Sequence, residues 1–306
     1  KLIQEVYKKD FELFNYDIKN TNIESFTNGK DKYEHFFSVL TRNKDEVHVD
    51  EFVKYYLSQG ADMIYVIDDH SKVKYSDSVL KNNKVKIIEG KYMSIDQEKD
   101  LNILYNLIKN KTKWVCIVDQ DEFITTRLNK NKTICDELRT TFKDTDCIKI
   151  PWVMFCSNSQ KEPKNILDIT TRWDHDKKHP HPFNNIKSRC RYDEIEGKSI
   201  FKTNVFNRIS VHYPKDSSKS QIICKDSVGG TPIKLESWHK RYSENDIKNS
   251  IFTCNHYRIS SIDNIIKRCT NTNIKNYKDN DNCIRDLKHG IYMEIEDNLL
   301  KQKLTR

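Results

Sequence analysis

The stretch Lys113–Arg127, KWVCIVDQDEFITTR, decides how the rest of the chain is read. Trp114 to Val118 are apolar, β-branched or aromatic without polar alternation, the pattern of a strand buried on both faces. Asp119, Asp121 and Glu122 then arrive where that strand emerges. Grouped negative charge at a strand end is costly unless water, a cation or a basic partner answers it. The rest of the chain has to say which of these answers it.

Upstream of it, HFFSVLTRNK (35–44) reads as a short apolar strand ending in a polar loop. VHVDEFVKYYLSQG (47–60) has apolar residues at helical spacing and a closing Gly60, a normal helix stop. ADMIYVIDDHS (61–71) and KVKIIEG (84–90) are further strands, and SIDQEKDLNILYNLIKNKT (94–112) is an amphipathic helix with Ser94 or Asp96 as its N-cap. Strand, helix, strand, strand, helix, strand predicts an α/β fold with a mostly parallel, Rossmann-like sheet flanked by helices. In such sheets ligands bind beyond the carboxyl ends of the strands. Thr41-Arg42-Asn43, Asp68-Asp69-His70-Ser71 and Asp119–Glu122 are thus expected to converge on one crevice.

The second half is less regular. IKIPWVMFCSNS (148–159) reads as a strand into a loop, 160–198 as a long loop or lid, and SIFKTNVFNRISVHYP (199–214) as strands ending at His212. FTCNHYRISSIDNIIKRC (252–269) is a strand followed by a helix capped by Ser260 or Ser261. The expected organisation is a lead-in over 1–33, one domain over 34–270 and a helical, charged tail over 271–306. Within the domain, 34–125 and 148–270 form two halves, expected to be a nucleotide-binding half and an acceptor half on the resemblance given below.

The 306 residues are 36% hydrophobic and 32% charged, enough for a sizeable core, and no apolar run approaches a membrane span. The chain opens on Lys1 and not on Met, so the lack of a targeting segment carries little weight. The formal charge of +8 is spread as lysines among aspartates and asparagines, a solvated surface and not a nucleic-acid stripe. None of the nine cysteines forms a CxxC pair, which argues against a zinc ribbon and for reduced thiols in a cytosolic type of compartment. The Lys/Asn/Ile bias fits a protist, a low-GC bacterium or a large DNA virus, and cytoplasm (or host cytoplasm) is the expected location.

Asp119 and Asp121 are two apart, so extended backbone would place both on one face about 7 Å apart, a spacing that suits a shared divalent cation. Such an ion, Mn²⁺ or Mg²⁺, would hold a diphosphate and offset the charge it develops on departure. The bland alternative is a solvated acidic turn. Glu122 points to the other face and is expected to bind backbone or another cation. Asp68 and Asp69 could hold ribose or a base edge, or simply cap a turn; Gln97 and Asn102 could brace the acids, or be surface. His256, with His212 as its rival, could serve as a metal ligand or phosphate brace, although a lone histidine is more often structural. Trp152, Phe155, Trp173 and Trp238 could stack on a sugar or fill the core, and Arg172, Lys187, Lys202 and Lys267 are candidate diphosphate cations.

These pieces resemble the nucleotide-sugar glycosyltransferases of the GT-A fold, in the family-2-like and family-92-like branch. The matching stretches are TRNKDEVHVDEFVKYYLSQGADMIYVIDDHS (41–71), WVCIVDQDEF (114–123), PWVMFCS (151–157), TRW (171–173), FKTNVFNRISVHY (201–213) and NHYRIS (255–260). Asn43, Glu51, Gly60, Asp68 or Asp69, and Ser71 fit the first segment, where Phe52 replaces the usual Trp; apart from TRW, 160–198 matches nothing. The resemblance implies metal-dependent transfer of a hexosyl-type sugar from a nucleoside-diphosphate donor, UDP-linked, to a hydroxyl on a glycan, protein or small molecule, with inversion. By resemblance, Asp119, Asp121 and His256 bind the metal, and Thr41, Arg42, Asp68, Asp69, Gln97, Asn102 and Gln120 bind the donor nucleotide. His212, Lys202, Trp152 and Trp173 are the implied diphosphate or acceptor contacts, and Asp174 the first choice of general base, ahead of Glu194 and Glu122. A metal-dependent nucleotidyl- or phosphotransferase and a non-catalytic polyanion-binding protein are the alternatives.

Overall fold

A computed structural model describes residues 32–92, 96–177, 194–230, 232–235, 238–240, 242–270, 287, 290 and 292–304, without the side chains of 194, 195 and 238–240. Residues 1–31 of the expected lead-in, most of the expected tail over 271–306, Lys187, and the side chains of Glu194 and Trp238 lie outside the described residues. Tyr33–Arg306 forms one unit.

Its first half is β1 (His35–Asn43), α1 (Val49–Ser58), β2 (Met63–Asp68), α2 (Asp77–Leu80), β3 (Val85–Glu89), α3 (Gln97–Ile108) and β4 (Thr112–Ile117). The strands lie in the order β3-β2-β1-β4, all parallel. Alternation along each strand feeds two cores, because successive side chains leave opposite faces. Phe37, Val39, Ile64 and Val66 pack with Phe52, Val53, Tyr55 and Tyr56 of α1. Leu40, Met63, Tyr65 and Ile67 pack with Leu101, Leu104, Tyr105 and Ile108 of α3. The helices thus cover opposite faces, and Asp96 starts α3 by accepting from the Lys99 amide.

The second half contains β5 (Glu122–Thr126), α4 (Ile134–Arg139), β6 (Cys147–Cys156), β7 (Thr171–Arg172), β8 (Glu194–Lys202), β9 (Phe206–Ile209), β10 (Pro214–Ser217), β11 (Cys224–Asp226), β12 (Trp238–Lys240), α5 (Glu244–Asn249), β13 (Phe252–Ile259), α6 (Ile262–Thr270), β14 (Ile295–Glu296) and α7 (Leu299–Leu304). Antiparallel β8 extends the sheet from β4 to β6. β13 pairs in parallel with β6 and antiparallel with β5. The whole is a mixed α/β sheet, parallel through β3-β2-β1-β4 and flanked by helices, consistent with a GT-A-like fold. No described helix is long and apolar enough to cross a membrane.

Three findings depart from the sequence reading. β5 follows the acidic turn directly, and all five of its residues are buried. Within the expected loop 160–198, a 3-10 turn at Ile166–Asp168 forms because the Glu51 carboxylate accepts from the Ile166 and Leu167 amides at 2.6 and 3.2 Å. Cys269, partly exposed in the last turn of α6, is disulfide-bonded, which corrects the expectation of reduced thiols throughout. Cys116, Cys135, Cys147, Cys156, Cys224 and Cys254 are free.

Arg172 is also corrected: it is a buried structural cation and not a diphosphate ligand. Its guanidinium donates to Glu244 Oε1 and Oε2 at 2.8 and 2.7 Å and to Asp297 Oδ2 at 2.8 Å. Arg127 donates to the same Asp297 oxygen at 2.7 Å. This network ties β7, α5, the residue that follows β5 and the segment before α7 together.

Removing one member of a buried ion pair leaves the other charge uncompensated, at a cost of about 3–5 kcal/mol. Arg172→Met is therefore expected to lower unfolding stability by about that amount, read as a fall in the urea midpoint. A midpoint equal to wild type would contradict the role assigned to this network.

Candidate active site

Between β4 and β5 the chain leaves one strand line and joins another, and residues 119–122 make the turn. The Glu122 amide donates to Asp119 O at 3.0 Å, while Glu122 Oε2 accepts from the Asp119 amide at 2.7 Å. The two aspartates are therefore not side by side on extended backbone, as their spacing suggested. They diverge to different partners, because the turn must carry the chain from β4 to the β13 side.

Lys198, on β8, is 1% exposed and reaches this turn from beneath. Its ammonium lies 3.0 Å from Asp119 Oδ2, 3.0 Å from Glu122 Oε2 and 3.1 Å from Val211 O. An ammonium has three donors, and all three are used here. Asp121 turns the other way, to Arg268 Nη2 at 3.1 Å and His256 Nε2 at 3.6 Å. The start of α6, which carries Arg268, is fixed by Ser261 Oγ accepting from the Asn264 amide and by Glu162 accepting from Ser260 and Ser261.

These contacts set the ionisation of the site. Burial pushes Glu122 up to about 7, with Lys198 opposing the rise and Asp119 adding to it. Burial also disfavours ionised Asp121, but His256 and Arg268 outweigh it and hold the carboxyl well below the usual range. Partial desolvation works against Asp119 in the same way, and Lys198 more than compensates. Burial would lower Lys198, yet Asp119 and Glu122 drive it up, so it stays charged. His212 is lowered by burial and by the Lys198 charge. Its Nδ1 lies 3.0 Å from Gly197 O, and a carbonyl only accepts, so Nδ1 carries the proton and Nε2 keeps its lone pair.

Trp152 lies between the two histidines, with ring centroids 5.5 Å from His212 and 4.4 Å from His256. It is a buried wedge rather than an open stacking platform. Trp173 is likewise buried and packs on Tyr292.

The strand ends of the parallel half adjoin the turn: the Val118 amide donates to Leu40 O and the Asp69 amide to Asn43 O. Asp69 pairs with Arg42 and, at 3.2 Å, with Lys44; Arg42 Nη1 also donates to Gln97 Oε1 at 3.0 Å. Asp68 accepts from Tyr75 OH at 2.8 Å and from the Ser71 amide. Thr41 Oγ1, Asp69 Oδ1 and both amide atoms of Gln120 are buried without a hydrogen-bond partner. Unpaired polar groups at such a depth carry a desolvation penalty that a bound ligand can relieve.

The remaining expected residues make the following contacts. Asn102 staples α3 to β9, donating to Glu98 O and Ile209 O and accepting from the Ile209 amide. Lys202 pairs with Trp114 at the far end of β4 and donates to Lys143 O at 2.8 Å. Asp174 follows Trp173, whose amide bonds Met154 O beside His256 in the β6–β13 register, and its Oδ1 accepts from the Asp176 amide at 2.9 Å. Lys267 donates to Asp45 O at 3.3 Å. Sequence reasoning missed Lys198 and Arg268. A lysine inside a strand, among residues otherwise buried, signals a buried anionic partner, and that cue was available at Gly197-Lys198-Ser199.

Asp119 Oδ2 is engaged by Lys198, and Asp121 Oδ2 by Arg268 at 3.1 Å, with His256 Nε2 3.6 Å away. Among the described residues no three His, Cys, Asp or Glu side chains form a metal-binding group. Asp119, Asp121 and His256 thus form no closed protein cage, so a divalent cation here would take most of its ligands from diphosphate oxygens and water, the usual way Mg²⁺ is held.

Glu122 gives the site a pH signature. Its folded pKa of about 7 lies above the ordinary 4.5, so its contribution to stability is present below about pH 4.5 and lost as pH rises toward 7. Asp119 and Asp121, both depressed, run the other way and lose their contribution on acidification. Glu122→Gln cannot titrate, so its melting temperature relative to wild type is expected to climb from about pH 4.5 to 7 and then level off. A constant difference over that range would contradict the buried position of this carboxylate.

A model of glycosyltransferase family 92 matches residues 104–291, more than half of the chain. Among solved structures, HddC from Yersinia pseudotuberculosis is similar at 10% identity over 71% of this chain and 98% of that chain, with a TM-score of 0.34, a likeness too low to carry an argument. No curated protein matches the chain. The acidic turn, Lys198, both histidines and Arg268 all fall inside the matched segment, and the chain is a glycosyltransferase belonging to glycosyltransferase family 92.

Proposed function

We propose that the crevice at residues 41–43, 68–69 and 119–122 binds a nucleoside-diphosphate sugar, UDP-linked, and that the sugar passes to an acceptor hydroxyl with inversion. The observation that carries this reading is the meeting of the acidic turn with Arg268, His256 and His212 beside the buried, unpartnered atoms Thr41 Oγ1, Asp69 Oδ1 and the Gln120 amide. Those unpaired groups suit the hydroxyls and polar edges of a nucleoside. Arg268 suits the diphosphate, where a guanidinium binds phosphate oxygens well.

In this scheme the acceptor oxygen bonds to the anomeric carbon as the bond to the diphosphate oxygen breaks, and the electron pair leaves with the nucleoside diphosphate. The acceptor proton passes to a base on the β6–β7 side, for which Asp174 is proposed. Glu122 is set aside for that role, because it is fully buried and bonded to Lys198 and the Asp119 amide. Arg268 offsets charge on the departing diphosphate. A divalent cation, Mn²⁺ or Mg²⁺, bound with the donor would be held by Asp121 and His256 and would supply further positive charge there. The cytoplasmic location expected from free cysteines is set against the Cys269 disulfide, a bond uncommon in reducing compartments.

Thermal unfolding with Mn²⁺ and a panel of UDP, GDP, CMP and ATP tests the donor assignment. A ligand at a hundred times its Kd stabilises the native state by about 2.7 kcal/mol. UDP is expected to raise the midpoint, and Asp121→Asn to lose both this shift and transfer while melting as a folded protein. No shift with any nucleotide in folded wild-type protein would overturn the reading.

A further inference from the structure

The two sides of the candidate site come from distant parts of the chain, and three consecutive residues of β8 join them. Gly197 O meets His212 Nδ1 at 3.0 Å, and Ser199 Oγ donates to His212 O at 3.0 Å. Between them, Lys198 binds Val211 O on the His212 side and Asp119 and Glu122 on the acidic side. β8 itself is locked between β4 and β6, so Lys198 is presented from a rigid element.

We propose that Lys198 is the positioning residue of the donor site: its single ammonium fixes the Asp119–Glu122 turn and registers it against His212. The proposal rests on the donor-site reading for its functional consequence, though not for the geometry. Lys198 has no donor left for a ligand and is enclosed, so it acts through Asp119 and Glu122 and not on the diphosphate directly. Its contact with Glu122 concerns the stability of two fully buried side chains. Its contact with Asp119, whose side chain is 60% exposed, has a different consequence, because it orients a solvent-accessible carboxylate of the proposed donor site. The two roles can be separated.

The separating variant is Lys198→Met with Glu122→Gln. It removes both buried charges together, and the amide oxygen still accepts from the Asp119 amide. Removing a buried pair as a whole is often neutral for stability, whereas Lys198→Met alone strands Glu122. The double variant is therefore expected to melt close to wild type and above Lys198→Met. Hydrogen exchange of the 116–126 amides is expected to quicken about tenfold or more, the loss of one charge-assisted bond. Its UDP-dependent thermal shift is expected to vanish.

A double variant that melts like wild type and keeps both the protected turn and the nucleotide shift would overturn the proposal. Should the double variant not fold, Asp119→Ala, at an exposed side chain, decides through exchange alone. Faster exchange at 119–122 supports the Lys198–Asp119 bond as the restraint, and unchanged protection overturns it. If wild type itself shows no nucleotide shift, the donor reading fails, while the exchange measurement still tests Lys198.

Discussion

A charged lysine enclosed by protein is the constraint on which the candidate site depends. Desolvating an ammonium costs several kcal/mol even after relaxation, so it persists only with excellent geometry and every donor used. Lys198 meets that demand with two carboxylates and one carbonyl. The same contacts make the acidic turn tolerable, since Glu122 is fully buried and Asp119 stands beside it. They also explain why β4 can hand the chain to β5 at this point. The turn that changes strand lines is held by a charge from a third strand.

The parallel half was legible in the sequence because its strands are buried on both faces and so read as unbroken apolar runs: VCIV before Asp119, MIYVI before Asp68. The acidic turn and His256 were legible as residue types at a strand end. β5 was not, because it opens on a charged residue whose burial depends on Lys198, far away in the chain. The two-residue strands β7 and β14 were not, since pairs of that length have no periodicity to read. Arg172 and Arg268 are the same residue type near aromatic or acidic neighbours, yet one is locked between Glu244 and Asp297 and the other faces Asp121. Only tertiary contacts tell them apart.

The protein thus separates two ionic networks. Arg127, Arg172, Glu244 and Asp297 join peripheral strands and the segment before α7 to the body, a contribution to folding. Asp119, Asp121, Glu122, Lys198 and Arg268 gather at the carboxyl end of β4, where the strand ends of β1 and β2 add buried polar atoms with no partner. Satisfied networks stabilise; a network bordered by unsatisfied groups is a place prepared for a ligand. Membership of glycosyltransferase family 92 implies a sugar donor and an acceptor, and the proposed function assigns the donor to this place. Trp152 lies between His212 and His256, with ring centroids 5.5 and 4.4 Å from theirs.

The central claim is that these residues separate a sugar from a nucleoside diphosphate. The most direct measurement is phosphorus NMR of the protein incubated with individual nucleotide sugars, Mn²⁺ and an acceptor mixture. The account predicts that one UDP-sugar is consumed and free UDP accumulates, with no pyrophosphate or nucleoside monophosphate formed first. Pyrophosphate, or a nucleotide transferred intact, would contradict it and make the acidic turn a phosphoryl- or nucleotidyl-transfer site instead.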